Sequence, residues 1–340
     1  MLTEPFPPDK EPMPRRAIDS SLPEPRRSRG FGAPVPRPTV PLLESVPNVS
    51  EGRRPEVIAR LAAAAASVPG AHLLHSSSDA DHHRTVFTLA GEPEPLIAAL
   101  LALLAEALSA VDLRRHRGVH PRIGAVDVVP FVPLDGAMTG AVAAARRFGE
   151  AAAGRFDLPI LLYGEAAARP ERRHLADLRR GQFENLAARL ATPEGAPDYG
   201  PARPHPSGGA TAVGARGFLV AFNAQLATAE VEVARAIARE IREANGGLPG
   251  VKALGLPLAS RGCAQVSMNL TDIARTPIPL VLARIREEAA RRGTRVASTE
   301  VVGMLPAAAL GGSSPEALQI EGFSEELLLE PRLAALGRGR

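Results

Sequence analysis

Apolar and polar positions divide this chain into an unpatterned start and a long patterned region. Eleven of its 33 prolines fall within the first 41 residues, among runs such as PRRSRGFGAPVPRP. Such a segment buries too little apolar surface to offset its ordering entropy, so residues 1–40 are expected to form a disordered or extended Pro/Arg-rich extension. The pattern begins at Pro41. Leu42–Val46 reads as a strand, and Glu56–Val68 spaces Val57, Leu61 and Ala65 along one helix face. Strands are predicted over Ala71–Ser76 and Arg84–Ala90, and a helix over Pro93–Ala110 with proline in its first turn. Val126–Val132 (VDVVPFV) reads as a strand whose internal Pro130 points to an edge or a bulge. A helix over Gly140–Arg155 and a strand over Pro159–Tyr163 follow.

Arg169–Ser207 is polar and rich in turn residues, and reads as a loop that connects or covers something. Beyond it come a strand (Gly217–Asn223), a helix (Glu230–Ala244), two strands (Val251–Leu258, Ala264–Asn269), a helix (Pro279–Arg292) and a strand (Arg295–Val301). This is the order of a split βαβ unit, an antiparallel sheet with helices on one face. The first half reads in the same order with an added helix and strand. The expected fold class is therefore α+β, two ferredoxin-like lobes over 41–214 and 215–310, followed by a tail, 311–340, with a last helix in Glu321–Leu336.

The 340 residues carry a net charge of +3 and are 45% hydrophobic, as in a soluble globular protein. The single cysteine, Cys263, allows no internal disulfide and no cysteine-built metal site, which favours a reducing compartment; the cytoplasm is expected. The apolar run Pro95–Ala105 meets Glu106 well short of the roughly 18 residues that span a bilayer, so no membrane crossing is expected. The start, MLTEPFPPDKEPMPRR, lacks the apolar core of a signal peptide. Nucleic-acid binding is disfavoured, because acidic residues interleave the arginines and only two Tyr, ten Phe and no Trp are present for stacking.

The densest chemistry lies in HRGVHPRIGA, His116–Ala125, with two histidines and two arginines among turn-forming residues. A neutral imidazole moves protons near pH 7 and an arginine beside it holds a carboxylate, so His120 and Arg122 form a candidate pair; a loop histidine satisfied by a neighbour is the competing explanation. His116 and His120 have the spacing of zinc ligands on a helix, but Gly118 and Pro121 oppose a helix there and no metal is expected. DADHHRT, Asp79–Thr85, gathers carboxylates and imidazoles at the entrance to a strand, where they orient a catalytic group or form a solvated turn. In VPNVSEGRR, Ser50 is a candidate helix cap and Asn48 offers an amide to a ligand or a turn. The glycines of GGATAVGARG lack the spacing and lysine of a phosphate loop, and no G-x-S-x-G hydrolase elbow occurs.

Taken together, VPNVSEGR (46–53), DADHHRTVFTLAGEPE (79–94), DLRRHRGVHPRIGAVDVVPFVP (112–133), LYGEAA (162–167), PDYGP with GGAT (197–211), GARGFLVAFN (214–223), AQVSMNL (264–270) and EVVGMLP (300–306) resemble the glutamate formimidoyltransferase family. The resemblance implies transfer of a formimidoyl group from N-formimidoyl-L-glutamate to N5 of tetrahydrofolate, with the folate as co-substrate between the facing sheets of two lobes. It places the catalytic histidine of the HPR motif at His120. It also implies a folate-binding loop over Gly200, Pro201, Ala202, Arg203, Pro204, His205, Pro206, Ser207, Gly208 and Gly209. Asn48 and Arg84 match positions lining the same cleft, while Arg84 and Arg122 are expected to grip carboxylates and Asp79 or Asp81 to balance a cationic amidine or orient the imidazole. The family suggests a homodimer through the first lobe. Three departures stand out: Val119 replaces the glutamate of GEHPR, His83 an asparagine, and Gly208 a residue that can be tryptophan. Nothing after Val301 resembles the cyclodeaminase domain fused to some members. Transfer of a formyl group between 5-formyltetrahydrofolate and glutamate, or folate binding without catalysis, are the alternatives.

Overall fold

A computed structural model describes residues 41–134 and 137–336; the extension expected over 1–40 lies outside the described residues. The first lobe comprises β1 (Leu43–Ser45), β2 (Asn48–Val49), α1 (Pro55–Ala65), β3 (Ala71–Asp79), β4 (Arg84–Gly91), α2 (Pro93–Ala110), β5 (Val126–Pro133), α3 (Met138–Phe156), β6 (Ile160–Gly164), α4 (Leu175–Leu178), α5 (Leu186–Leu190) and β7 (Thr211–Ala215). β1 and β2 lie end to end as one interrupted strand, and the sheet runs β3, β4, β1/β2, β5, β7, β6. The added strands β7 and β6 extend β5 in parallel.

α1, α2 and α3 cover one face of this sheet, burying Leu61, Leu100, Leu104 and Phe148 against Leu43, Phe87, Leu89 and Phe131. By length and composition α2 would pass for a membrane span. Here it is a core helix, with Leu96, Leu100, Leu103 and Leu104 fully enclosed.

Pro130 does not mark an edge. β5 is central, paired with β1/β2 on one side and β7 on the other. The register from Ser45↔Phe131 to Asn48↔Val128 sets Pro130 opposite the break at Val46–Pro47, where the ladder asks for no N–H. Ser45 Oγ donates to its carbonyl at 2.7 Å. The bulge expected of a proline strand falls three residues earlier. Asn48 pairs with Val128 and Val49 with Val126, so Asp127 is the extra residue. Val126 and Val129 point into the helix-covered core, whereas Val128 joins the opposite face, to which the bulge also turns Asp127.

The second lobe is β8 (Val220–Leu226), α6 (Val231–Ile241), β9 (Val251–Leu258), β10 (Cys263–Leu270), α7 (Ile278–Arg291) and β11 (Val296–Val302). Its antiparallel sheet runs β11, β8, β10, β9, the order of a split βαβ unit, with α6 and α7 over one face. The α+β class and the two sheets expected from the sequence are both present.

Three expectations need correction. The strand predicted over Gly217–Asn223 starts three residues later, as β8, and a strand that was not predicted, β7, precedes it across residues 216–219. The presumed loop Arg169–Ser207 contains α4 and α5, whose Leu178, Leu186 and Leu190 bury against Leu161, Tyr163 and Ala212; one turn of helix is too short to show a period. Among the described residues of the tail the α-helix is confined to α8 (Leu329–Ala335), because Gly322 takes a φ of +63° and Ile320 pairs with Thr299 as an extension of the second sheet. Leu329 of α8 packs with Leu74 and Ala90 of the first lobe and Met304 of the second. Arg332 donates to the Leu74 carbonyl at 2.6 Å, so the tail fastens one lobe to the other.

Candidate active site

At one end of the first sheet β2 ends and β4, β5 and β7 begin, and the loops there hold one another backbone to backbone. Ser50 N donates to Ala125 O at 2.8 Å, Ala125 N to Gly208 O at 2.9 Å, Ala210 N to Ile123 O at 2.9 Å and Val119 N to Asp81 O at 3.1 Å. The approach is close enough to require glycine: a Cβ on Gly118 would stand 2.3 Å from the His82 carbonyl. Ser50 is not a helix cap. Its hydroxyl donates to Gly124 O, and the Glu51 carboxylate instead takes the N–H groups of Arg53 and Arg54.

His120 projects from this junction. Its Nδ1 lies 2.9 Å from the Pro121 carbonyl, which can only accept, so the neutral ring carries its proton on Nδ1 and leaves Nε2 with a free lone pair. Burial pushes the imidazole well below the ordinary histidine range, and the nearby charges of Arg84 and Arg179 push it further. Arg84 donates to Asn48 Oδ1 at 2.9 Å, to Pro121 O at 3.0 Å and to Asp127 Oδ2 at 2.9 Å. Asp127 is fully buried; it also accepts from Arg179 and, at 2.8 Å, from the Ile123 backbone. The pull of Arg179 and Arg84 overrides burial and holds its carboxyl below the usual carboxylate range. One buried carboxylate thus fixes two arginines and the strand entry that carries His120.

The other sequence candidates divide. Asp79 accepts from His82 N at 2.7 Å and from His82 Nδ1 at 2.8 Å, and the His82 ring stands 6.1 Å from that of His120, so Asp79 reaches His120 only through His82. Asp81 turns to the second lobe and accepts from Ser260 N and Oγ. Arg122 is buried, but its guanidinium makes two 2.8 Å bonds to Glu184 and one of 3.1 Å to His116 Nδ1, and no arm remains free for a substrate. His116 Nε2 lies 2.9 Å from the His83 carbonyl, which leaves neither ring nitrogen of His116 for a metal. In the loop from Gly200 to Gly209, His205 and Gly209 exchange two backbone bonds, and Arg203 pairs with Asp157 at the surface. Gly208 N donates to His205 Nδ1, and a Cβ on Gly208 would meet Leu108 at 2.3 Å; this position packs toward α2, so the glycine fits without an aromatic wall.

Asp127 and Arg179 were missed by sequence reasoning. The signal for Asp127 was a single acid inside the apolar strand VDVVPFV; Arg179 sits in a stretch that carries no pattern at all.

Residues 42–216 match the formiminotransferase domain, N-terminal subdomain, and residues 221–315 match the formiminotransferase domain. The chain belongs to the formiminotransferase family. It is 42% identical to glutamate formimidoyltransferase of Streptococcus pyogenes over 83% of this chain and 95% of that one. It is 39% identical to the Thermoplasma acidophilum enzyme of the same name over 86% and 97%. Formimidoyltransferase-cyclodeaminase of Rattus norvegicus is 40% identical over 79% of this chain, which covers 51% of the rat protein. One family departure is locally tolerated. His83 takes a φ of +51°, a left-handed conformation in which histidine, like asparagine, is enriched, and its ring stacks on His116 with centroids 4.2 Å apart.

The same geometry sets an acid limit on folding. Burial draws His116 from 6.5 down to about 4, with only partial recovery from its bond to His83 O. Between those values the unfolded chain binds a proton that the folded chain refuses, so stability is lost as pH falls from about 6.5 to about 4. The urea midpoint is expected to fall between pH 7 and pH 5; an unchanged midpoint would show that His116 titrates freely in the fold.

Proposed function

We propose that the chain transfers the formimidoyl group of N-formimidoyl-L-glutamate to N5 of tetrahydrofolate, releasing L-glutamate, with the folate held between the sheet face turned away from α1–α3 and that turned away from α6 and α7. The observation that carries the proposal is His120, an imidazole whose Nδ1 proton is engaged by a backbone carbonyl and whose Nε2 is bare, set among buried arginines. N5 of tetrahydrofolate attacks the amidine carbon and must shed its proton, which Nε2 within roughly 3 Å accepts. The resulting imidazolium then delivers that proton to the departing glutamate nitrogen as the carbon–nitrogen bond breaks. Of the residues expected to grip carboxylates, Arg84 remains suited by position, and Arg179 joins it.

The assay is direct. The purified chain with formimidoylglutamate and tetrahydrofolate is expected to release glutamate and form the 5-substituted folate; substrates recovered unchanged overturn the proposal. A formyl donor in place of the formimidoyl one distinguishes the related transfer.

The pH profile follows from the charges around His120. Burial and the two arginines keep the ring neutral below pH 6.5, so the acid limb of kcat/KM is expected below the ordinary histidine range. Bound substrate brings carboxylates that offset those arginines and raise the basicity of the ring, so the acid limb of kcat lies above that of kcat/KM. Coincident limbs at about 6.5 would contradict this environment.

A further inference from the structure

Glu44 is a buried carboxyl in the first sheet with no use in the chemistry above. It sits on β1 opposite Ala90 of β4 and Val132 of β5, with 3% of its surface exposed. Its neighbours Leu43 and Leu89 face α1–α3, whereas Ala90 packs with Met304 and Leu329, so Glu44 lies on the face of the sheet turned away from those three helices. No hydrogen bond or ion pair within 4 Å engages its carboxyl among the described residues. The cation that acts on it, Arg216, is two strands away: Val132 lies between them, Arg216 N bonds Phe131 O, and the guanidinium is turned to Tyr163. Burial drives this carboxyl up to about 7, with the more distant Arg216 pulling it down. A carboxylate taken from water without a partner is costly, and a fold keeps one there when something supplies the missing donors.

The position limits what that is. Glu44 and Asn48 lie on the same face of the interrupted strand, four residues apart, or about 13 Å. Asn48 holds Arg84, which shares the Pro121 carbonyl with His120. Glu44 is therefore too far from the reacting carbon to balance an amidinium there. A pterin spans roughly 5 Å from N5 to the 2-amino nitrogen on its amino edge, and with a hydrogen bond of about 2.9 Å at each end it bridges on the order of 10 Å between side-chain atoms, comparable to that backbone separation. That edge presents two parallel donors, N3–H and the 2-amino group, which a carboxylate accepts in a bidentate pair.

We propose that Glu44 is the pterin-recognition residue of this chain, its carboxylate accepting N3–H and the 2-amino N–H of tetrahydrofolate. The inference rests on the folate-dependent function proposed above. It places the pterin toward the end of the lobe interface closed by Leu74, Ala90, Met304 and Leu329, and the glutamyl tail toward the Asp81–Ser260 contact.

The test is Glu44→Gln, in which one acceptor becomes an NH₂ facing the pterin amino group. By titration calorimetry with 5-formyltetrahydrofolate, Kd is expected to rise on the order of 100-fold, with KM for formimidoylglutamate within about twofold of the parent. A second measurement changes the ligand and leaves the protein intact: a folate lacking the 2-amino group should bind the parent chain tens of times more weakly, yet lose little further affinity in Glu44→Gln. A variant that binds folate within threefold of the parent, or additive losses from the two changes, overturns the assignment of Glu44 while leaving the transferase function intact. A parent chain that binds no folate removes both.

Discussion

Replacing His120 by asparagine is expected to lower turnover by about 10²- to 10⁴-fold while changing folate affinity less than about threefold. Asparagine can still donate an N–H to the Pro121 carbonyl, so the loop keeps its anchor, but it offers no lone pair able to take a proton from N5. Binding is spared because the ring is neutral in the free protein: burial and the charges of Arg84 and Arg179 disfavour its cation, and no ionic contact with the folate is removed. Steady-state kinetics with calorimetric folate titration separates the two effects. Turnover within twofold of the parent would place the proton transfer elsewhere.

The largest structural effect is expected from Asp127→Asn. This carboxylate is fully buried, is bound by Arg84 at 2.9 Å and by Arg179, and takes the Ile123 N–H at 2.8 Å. An amide keeps the size and loses the charge, leaving two buried guanidinium groups with nothing to neutralise either. Removing one partner of a buried charge pair costs about 3–5 kcal/mol, and the bulge that aims this side chain leaves no second carboxylate to take its place. The urea unfolding transition should shift accordingly. In the fraction that remains folded, kcat should fall at least tenfold, since Arg84 and the Pro121 carbonyl set the His120 ring. A variant of parental stability would show that Arg84 and Arg179 are balanced by other groups.

The chain's chemistry was more legible than its geometry. His120 stood out because glycine and proline around an imidazole mark a rigid loop, and Asn48 and Arg84 do meet beside it. Arg122 was misleading: two positions from His120 in sequence, it is directed into Glu184 and His116, because in the loop successive side chains diverge and nothing local reveals which of them faces the ligand. Asp81 was equally opaque, its partner Ser260 being 179 residues away. From Glu230 onward the second lobe was readable to within about three residues, since β9 and β10 pair in unbroken register between two amphipathic helices. In the first lobe Pro130 misled, because a proline is tolerated in a central strand wherever the neighbouring strand is itself interrupted, and that interruption at Val46–Pro47 lies more than eighty residues earlier.

The central claim is a neutral imidazole with its proton on Nδ1 and its basic Nε2 free. Long-range proton–nitrogen NMR of the His120 ring, followed as pH is lowered, tests it without any substrate. The expected spectrum shows a protonated Nδ1, an unprotonated Nε2 and a titration midpoint well below 6.5. A ring protonated on Nε2 at neutral pH, or titrating at 6.5 or above, would contradict it.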